Sequence, residues 1–153
     1  QAVLKKLVES VRAKNHCCDF GILGAKWVPR VLAENGYAED AWKLFTQRKQ
    51  PGYQWWFDQG EDTLWETFDG TASHNHIMFG DVSAWAYEYV AGIRILEPGF
   101  KKIAFKPYAP EGVKSFEARR QTPLGEIRAG WRTGADGKPA FYCDAPKGVE
   151  VVR

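Results

Sequence analysis

The sequence is poor in cysteine, with three in 153 residues, and two of these, Cys17 and Cys18, are adjacent. An odd count with a neighbouring pair excludes a disulfide framework. His16 and Asp19 flank the pair, but no second Cys/His pair at ligand spacing follows, so a half-buried turn between helices is expected there rather than a metal site. Cys143 sits alone in an alternating pattern and reads as a small core hydrophobe. Long hydrophobic runs are also missing. The two best, around Ile22 to Val28 and Ala84 to Ile95, are broken by Gly, Lys, Glu or Arg well before a bilayer could be spanned. A dominant charge is missing too: 21 basic and 19 acidic residues leave a net charge of +2. With no Lys/Arg block in the mixture, neither a nucleic acid nor a membrane surface is expected as partner. Finally, no charged segment followed by an apolar core opens the chain, and there is no initiating Met. Gln1 leads straight into an amphipathic pattern, so a longer chain is expected, with any targeting signal outside this sequence.

What is present divides into two grammars. Val3, Leu4, Leu7, Val8 and Val11 recur at helical spacing, with Lys5, Lys6, Glu9 and Arg12 between them, and predict an amphipathic helix through about residue 14. Ile22 to Asn35 reads as a second helix closed by Gly36. Pro29 leaves two alternatives, a regular helix starting near Trp27 or a kink at the proline. A third helix runs from Ala38 to about Lys49, with Glu39 and Asp40 near its positive end, and the short join at Gly36 makes an antiparallel hairpin. A fourth carries Val82, Trp85, Ala86, Tyr89 and Val90 and stops near Gly92. Trp27, Trp42, Trp85 and Trp131 lie on regular patterns and are expected in cores.

After Ile95, Pro98, Gly99, Pro107, Pro110 and Gly112 punctuate short alternating segments: Ile103 to Tyr108, Lys114 to Arg120, Leu124 to Arg132, Ala140 to Asp144 and Gly148 to Val152. These read as antiparallel strands, joined by turns at Pro123-Leu124-Gly125 and Ala135-Asp136-Gly137. The chain is thus expected to be α and then β, with domains 1–95 and 96–153. Both halves read like incomplete pieces.

Between the helices lies Trp55 to His76, WWFDQGEDTLWETFDGTASHNH, which holds three of the seven tryptophans, two phenylalanines, five carboxylates and two histidines. It has no helical period and reads as a loop with one short strand or turn. Aromatic walls around a few aimed polar groups suit a small-molecule pocket. Glu66 follows Trp65 directly, and partial desolvation beside indole rings raises a carboxyl towards a useful acid or base. Paired carboxyls are the usual requirement for glycoside hydrolysis. Spacing alone leaves Glu66 and Asp69 open as catalytic groups, loop acids or helix caps. His74 and His76 are open in the same way: an imidazole bonded to substrate, a flank of a capping Ser73 or Asn75, or a metal pair, the last disfavoured because no third ligand is evident. Trp55, Trp56 and Trp65 either stack on a sugar face or pack a helical array.

GEDTLWETFDG, SHNHIMFGDVSAWAYEYVAGI, PGFKKIAFKP and TPLGEIRAGW together resemble the C-terminal part of the bacterial α-L-rhamnosidases of glycoside hydrolase family 78. Gly36 to Trp42 and Pro51 to Tyr53 match the helix hairpin and loop entry of the same pattern. The resemblance implies the last helices of an (α/α)6 barrel followed by an antiparallel β-sandwich segment. It also implies an inverting hydrolysis of terminal α-L-rhamnosyl residues with Glu66 as general base, and His76 as a contact to the sugar. Tyr53, Trp56, Trp65 and Asp69 complete the candidate substrate contacts. No metal or cofactor is implied.

The sequence departs from the family at Tyr53, where a Trp is more frequent, and at Gly60-Glu61-Asp62-Thr63, where Gly-Ala-Thr-Thr is usual. The loop from Glu66 to His76 is shorter than in many relatives. The general acid and most sugar ligands come from earlier barrel helices in the family, and no motif for them exists here. The chain by itself is therefore expected to be inactive, needing the remainder of the barrel as its partner and rhamnosides as substrate. The competing reading is a non-catalytic carbohydrate-binding or structural remnant of such an enzyme.

Overall fold

The computed structural model describes residues 1–153, which fall into two compact units, Gln1–Ser83 and Ala84–Arg153. No helix is long and apolar enough to cross a membrane.

The first unit opens with α1 (Ala2–Ala13), which buries Val8 and Val11 as its spacing predicts. Asn15 and His16 turn the chain with φ of 51° and 58°. That turn brings His16 and Arg12 to Asp40, a carboxylate only 6% exposed. Arg12 donates to it twice, from Nε at 2.9 Å and Nη2 at 2.8 Å, and His16 Nε2 lies 2.8 Å away. A buried charge persists only when paired and hydrogen-bonded in this way. The Arg12 hydrogen bonds, aided by His16, hold the Asp40 carboxyl at about 2 against the opposing effect of burial. Cys18 is buried and its thiol donates to the Leu44 carbonyl at 3.4 Å.

Helix α2 (Ile22–Glu34) runs through Pro29 rather than starting after Trp27. Its buried residues, Ala25, Pro29 and Leu32, define one stripe. Trp27 lies two residues from Ala25, about 200° round the helix, and is 57% exposed, so the expected core position is corrected. Trp42 is half-buried, whereas Trp85 and Trp131 are core residues. Gly36, at φ 87°, ends the helix. Tyr37 N–H donates to the Leu32 carbonyl and Gly36 N–H to that of Ala33, the double bond of a Schellman turn. Helix α3 (Ala38–Phe45) then packs back on α2.

Helix α3 stops at Phe45, about one turn before the expected end near Lys49. Thr46 donates from both its amide and its hydroxyl to the Trp42 carbonyl, and the chain folds into a tight turn. Gly52 is needed there, since a Cβ would stand 2.5 Å from the Gln47 carbonyl oxygen. Residues expected to be loop then form α4 (Tyr53–Asp58), a helix of six residues that buries Tyr53 and Trp56. Two inward residues three apart are too few to show a helical period in the sequence.

A single 3₁₀ turn, Ile77–Phe79, leads into α5 (Asp81–Trp85), which widens into a π-helical turn, Ala86–Val90. The division between the two units falls inside α5. Arg30 of α2 donates to Asp81 at 2.9 Å and 3.2 Å, tying the exit of the aromatic stretch to the helical scaffold of the first unit.

The second unit holds six strands: β1 (Ile93–Glu97), β2 (Lys102–Phe105), β3 (Ser115–Thr122), β4 (Gly125–Thr133), β5 (Pro139–Asp144) and β6 (Glu150–Val152). They form two three-stranded sheets, β1-β2-β6 and β3-β4-β5. All pairings are antiparallel except β2 with β6, where Ile103 sits opposite Val151 in parallel. The strand β1 is an addition to the sequence reading, which began the strands after Ile95. Gly92 makes the turn into it at φ 79°, close enough to Pro107 that a Cβ would fall 2.3 Å from its nitrogen. Ile93, Ile103, Phe105, Ala118, Ile127 and Ala129 form the core of this unit. Thr122 faces Gly125 across the expected turn at Pro123 and Leu124, and a second turn at Gly134–Lys138 joins β4 to β5.

Candidate active site

The aromatic stretch forms a closed loop on an aromatic floor. Tyr53 and Trp56 of α4 are 3% and 2% exposed, and Phe68 stacks on Trp56 at 4.6 Å with 16° between the rings. Phe79 packs edge-on against both Tyr53 and Trp56. The Tyr53 hydroxyl donates to the Phe79 carbonyl at 3.0 Å, so its hydrogen is committed inside the protein. Tyr53 and Trp56 thus lie beneath the loop and shape it from below.

Two backbone bonds close the loop. His76 N–H donates to the Leu64 carbonyl at 2.7 Å, and Glu66 N–H donates to that of Ser73 at 2.8 Å. The pairing brings Glu66 and His76 together: His76 Nδ1 lies 3.6 Å from Glu66 Oε2. Ser73 N–H approaches the same oxygen at 3.4 Å. The Glu66 side chain is 41% exposed, so its carboxylate meets solvent while its backbone is fixed. A carboxylate with one lightly engaged oxygen, facing out beside an imidazole, can take a proton from a water or bond to a sugar hydroxyl.

Asp69 is held differently. Thr71 donates to its Oδ1 from the amide at 3.1 Å and from the hydroxyl at 2.8 Å. The neighbouring hydroxyls of Thr67 and Thr71, with the Thr71 amide, hold its carboxyl below the usual carboxylate range. The group is exposed, but its Oδ1 is used in the turn that shapes the loop. Of the two carboxylates singled out from the sequence, Glu66 is the one whose oxygens are less engaged.

Trp65 is 5% exposed and fills the loop from inside. Trp55 meets it edge-on at 5.8 Å, and the His74 ring stacks on it at 4.1 Å with 17° between planes. His74 Nε2 lies 3.0 Å from the Gly70 carbonyl oxygen. The two histidines therefore serve different partners. Ser73 Oγ accepts from Asn75 N–H at 3.2 Å, a local turn rather than a helix cap. The amide of Ser73, which stands beside the Glu66 carboxylate, had no sequence signal, because a backbone group shows no residue type.

Residues 1–90 match the profile of the bacterial alpha-L-rhamnosidase 6 hairpin glycosidase domain, and residues 92–152 match that of the bacterial alpha-L-rhamnosidase C-terminal domain. The chain belongs to the bacterial α-L-rhamnosidase family. An alpha-L-rhamnosidase of Formosa agariphila is 30% identical over 86% of the chain and 15% of that relative. The alpha-L-rhamnosidase of Streptomyces avermitilis is 27% identical over 95% of the chain, again 15% of the relative. Among solved structures, the α-L-rhamnosidase from Dictyoglumus thermophilum superposes with a TM-score of 0.89 at 34% identity, over 97% of this chain and 17% of that one. The Streptomyces avermitilis α-L-rhamnosidase complexed with L-rhamnose superposes at 0.91 with 26% identity, over 98% of this chain and 16% of that one. The chain thus spans about 15% of the length of the curated rhamnosidases it matches. Its helical segment belongs to a six-hairpin glycosidase domain, and its β-sheets belong to the domain that follows in this family.

Proposed function

We propose that this chain is the C-terminal part of an inverting α-L-rhamnosidase, in which Glu66 is the general base and the general acid comes from earlier barrel helices of the same protein. The observation that carries the reading is the Glu66 carboxylate, 41% exposed and 3.6 Å from His76 Nδ1, on a loop whose backbone is closed around it. In the reaction, Glu66 takes a proton from a water attacking the anomeric carbon while the acid protonates the leaving oxygen. His76, whose Nδ1 lies 3.6 Å from that carboxylate, reaches a sugar hydroxyl with its remaining nitrogen. Trp65, Trp56 and Tyr53 act from below by fixing the loop, and Asp69 shapes it at its tip. The substrate is a terminal α-L-rhamnoside, and the rest of the barrel is the necessary partner.

The test is Glu66→Gln in the full-length protein carrying this segment. Loss of a general base costs roughly 10²–10⁴-fold in kcat, read on p-nitrophenyl α-L-rhamnoside, with rhamnose binding retained. Proton NMR of the first product anomer reports the stereochemistry. Wild-type turnover in the variant refutes the base, and a first product with retained configuration refutes the inverting mechanism.

A further inference from the structure

The assignment of Glu66 leaves open what fixes the direction of its side chain. Its carboxylate has only long contacts, at 3.4 Å and 3.6 Å, so its aim depends on the backbone and on the residue before it. That residue, Trp65, is buried, yet its indole N–H has no hydrogen-bond partner. No polar contact therefore pins the ring, and packing alone seats it. Among its ring contacts, Trp55 offers an edge and Trp56 a tilted ring, while His74 lies nearly parallel to it at 4.1 Å.

His74 is itself fixed at two points of the same loop. Its Nε2 lies 3.0 Å from the Gly70 carbonyl, and its own carbonyl accepts from the Thr63 hydroxyl. Gly70 presses on Trp65 as well: a Cβ there would stand 2.6 Å from Trp65 Cζ3, and its φ of 72° suits glycine. His74 thus links the outgoing arm of the loop, the tip at Gly70 and the indole that precedes Glu66. We propose that His74 is a positioning residue for the reaction: by stacking on Trp65 and holding Gly70, it fixes the direction of the Glu66 carboxylate. It touches neither water nor sugar in this role. The inference rests on Glu66 being the base.

The experiment compares His74→Ala, His74→Phe and His74→Asn with Glu66→Gln in the full-length enzyme. Misplacement of a reacting group by about 1 Å costs on the order of 10²-fold. His74→Ala is therefore expected to lower kcat roughly tenfold to a hundredfold with KM within about threefold of wild type. His74→Phe keeps the stack but not the contact to Gly70, and is expected to recover part of that loss, again in kcat rather than KM. His74→Asn keeps a short polar group without the ring and is expected to stay impaired. If the alanine variant does not fold, the Phe and Asn variants decide the matter alone. Wild-type kcat in His74→Ala, or a Phe variant no better than Asn, overturns the proposal. If Glu66→Gln abolishes turnover while His74→Ala leaves it intact, only the positioning role falls. If Glu66→Gln turns over normally, the base assignment falls first.

Discussion

Replacing Asp40 by Asn removes the charge from a buried carboxylate held by two partners while keeping its shape. In the native protein the carboxylate accepts two hydrogen bonds from Arg12 and lies 2.8 Å from His16 Nε2. Its carboxyl is held at about 2, against the 3.8 of a free side chain. Because the folded value is depressed, this group stabilises the protein above the unfolded value, and the contribution is lost as pH falls from about 4 through about 2. At 1.36 kcal/mol per pKa unit, the pair of values corresponds to about 2 kcal/mol near neutrality. The Arg12 side chain is more than half exposed, so water partly compensates its loss, and the full 3–5 kcal/mol range for breaking a buried pair is not reached. Urea denaturation followed by tryptophan fluorescence, with wild type and Asp40→Asn side by side, cancels the titration of the other carboxylates. The expected difference is about 2 kcal/mol at pH 7, shrinking as pH falls below about 4 and mostly gone by pH 2, where the wild-type group is half protonated. A difference that does not change with pH, or none at pH 7, refutes this account of how α1 is joined to α3.

Two further outcomes follow from the packing. Gly92→Ala forces a Cβ to within 2.3 Å of the Pro107 nitrogen at a positive φ, so a loss of at least 1–3 kcal/mol is expected; an unchanged melting temperature contradicts it. Cys18 is 2% exposed, and burial pushes its thiol up to about 12. In the native protein a thiol reagent should therefore label half-buried Cys17 well before Cys18, with Cys18 reacting only on unfolding; peptide mass spectrometry reads the order.

The parts of the fold legible in the sequence are those with a repeated physical signal. The α1 stripe repeats over three turns, Gly36 marks a left-handed cap, and β3 and β4 alternate around a turn containing Pro123. Where the signal is short it fails. Tyr53 and Trp56 alone carry the buried side of α4, and β1 is hidden because Ile93 and Ile95 follow an apolar helix with only Gly92 between. Trp27 differs for another reason: its type and its apolar neighbours point to the core, whereas its angle, about 200° round the helix from Ala25, turns it to solvent. In the site, residue types pointed to Glu66 and His76, but their proximity depends on backbone bonds from His76 to Leu64 and from Glu66 to Ser73. Main-chain pairing of this kind is the same for almost any side chain, so the sequence does not spell it.

Those two bonds, with the clasp from Thr63 to His74, all fall within fourteen consecutive residues. The entropy of closing so short a ring is small, since it grows only with the logarithm of length. The distance between Glu66 and His76 is thus set by near neighbours along the chain rather than by the packing of distant helices. Such a loop behaves as a cassette: helices around it can drift in sequence, and insertions can accumulate elsewhere, without resetting the spacing of the two groups it carries.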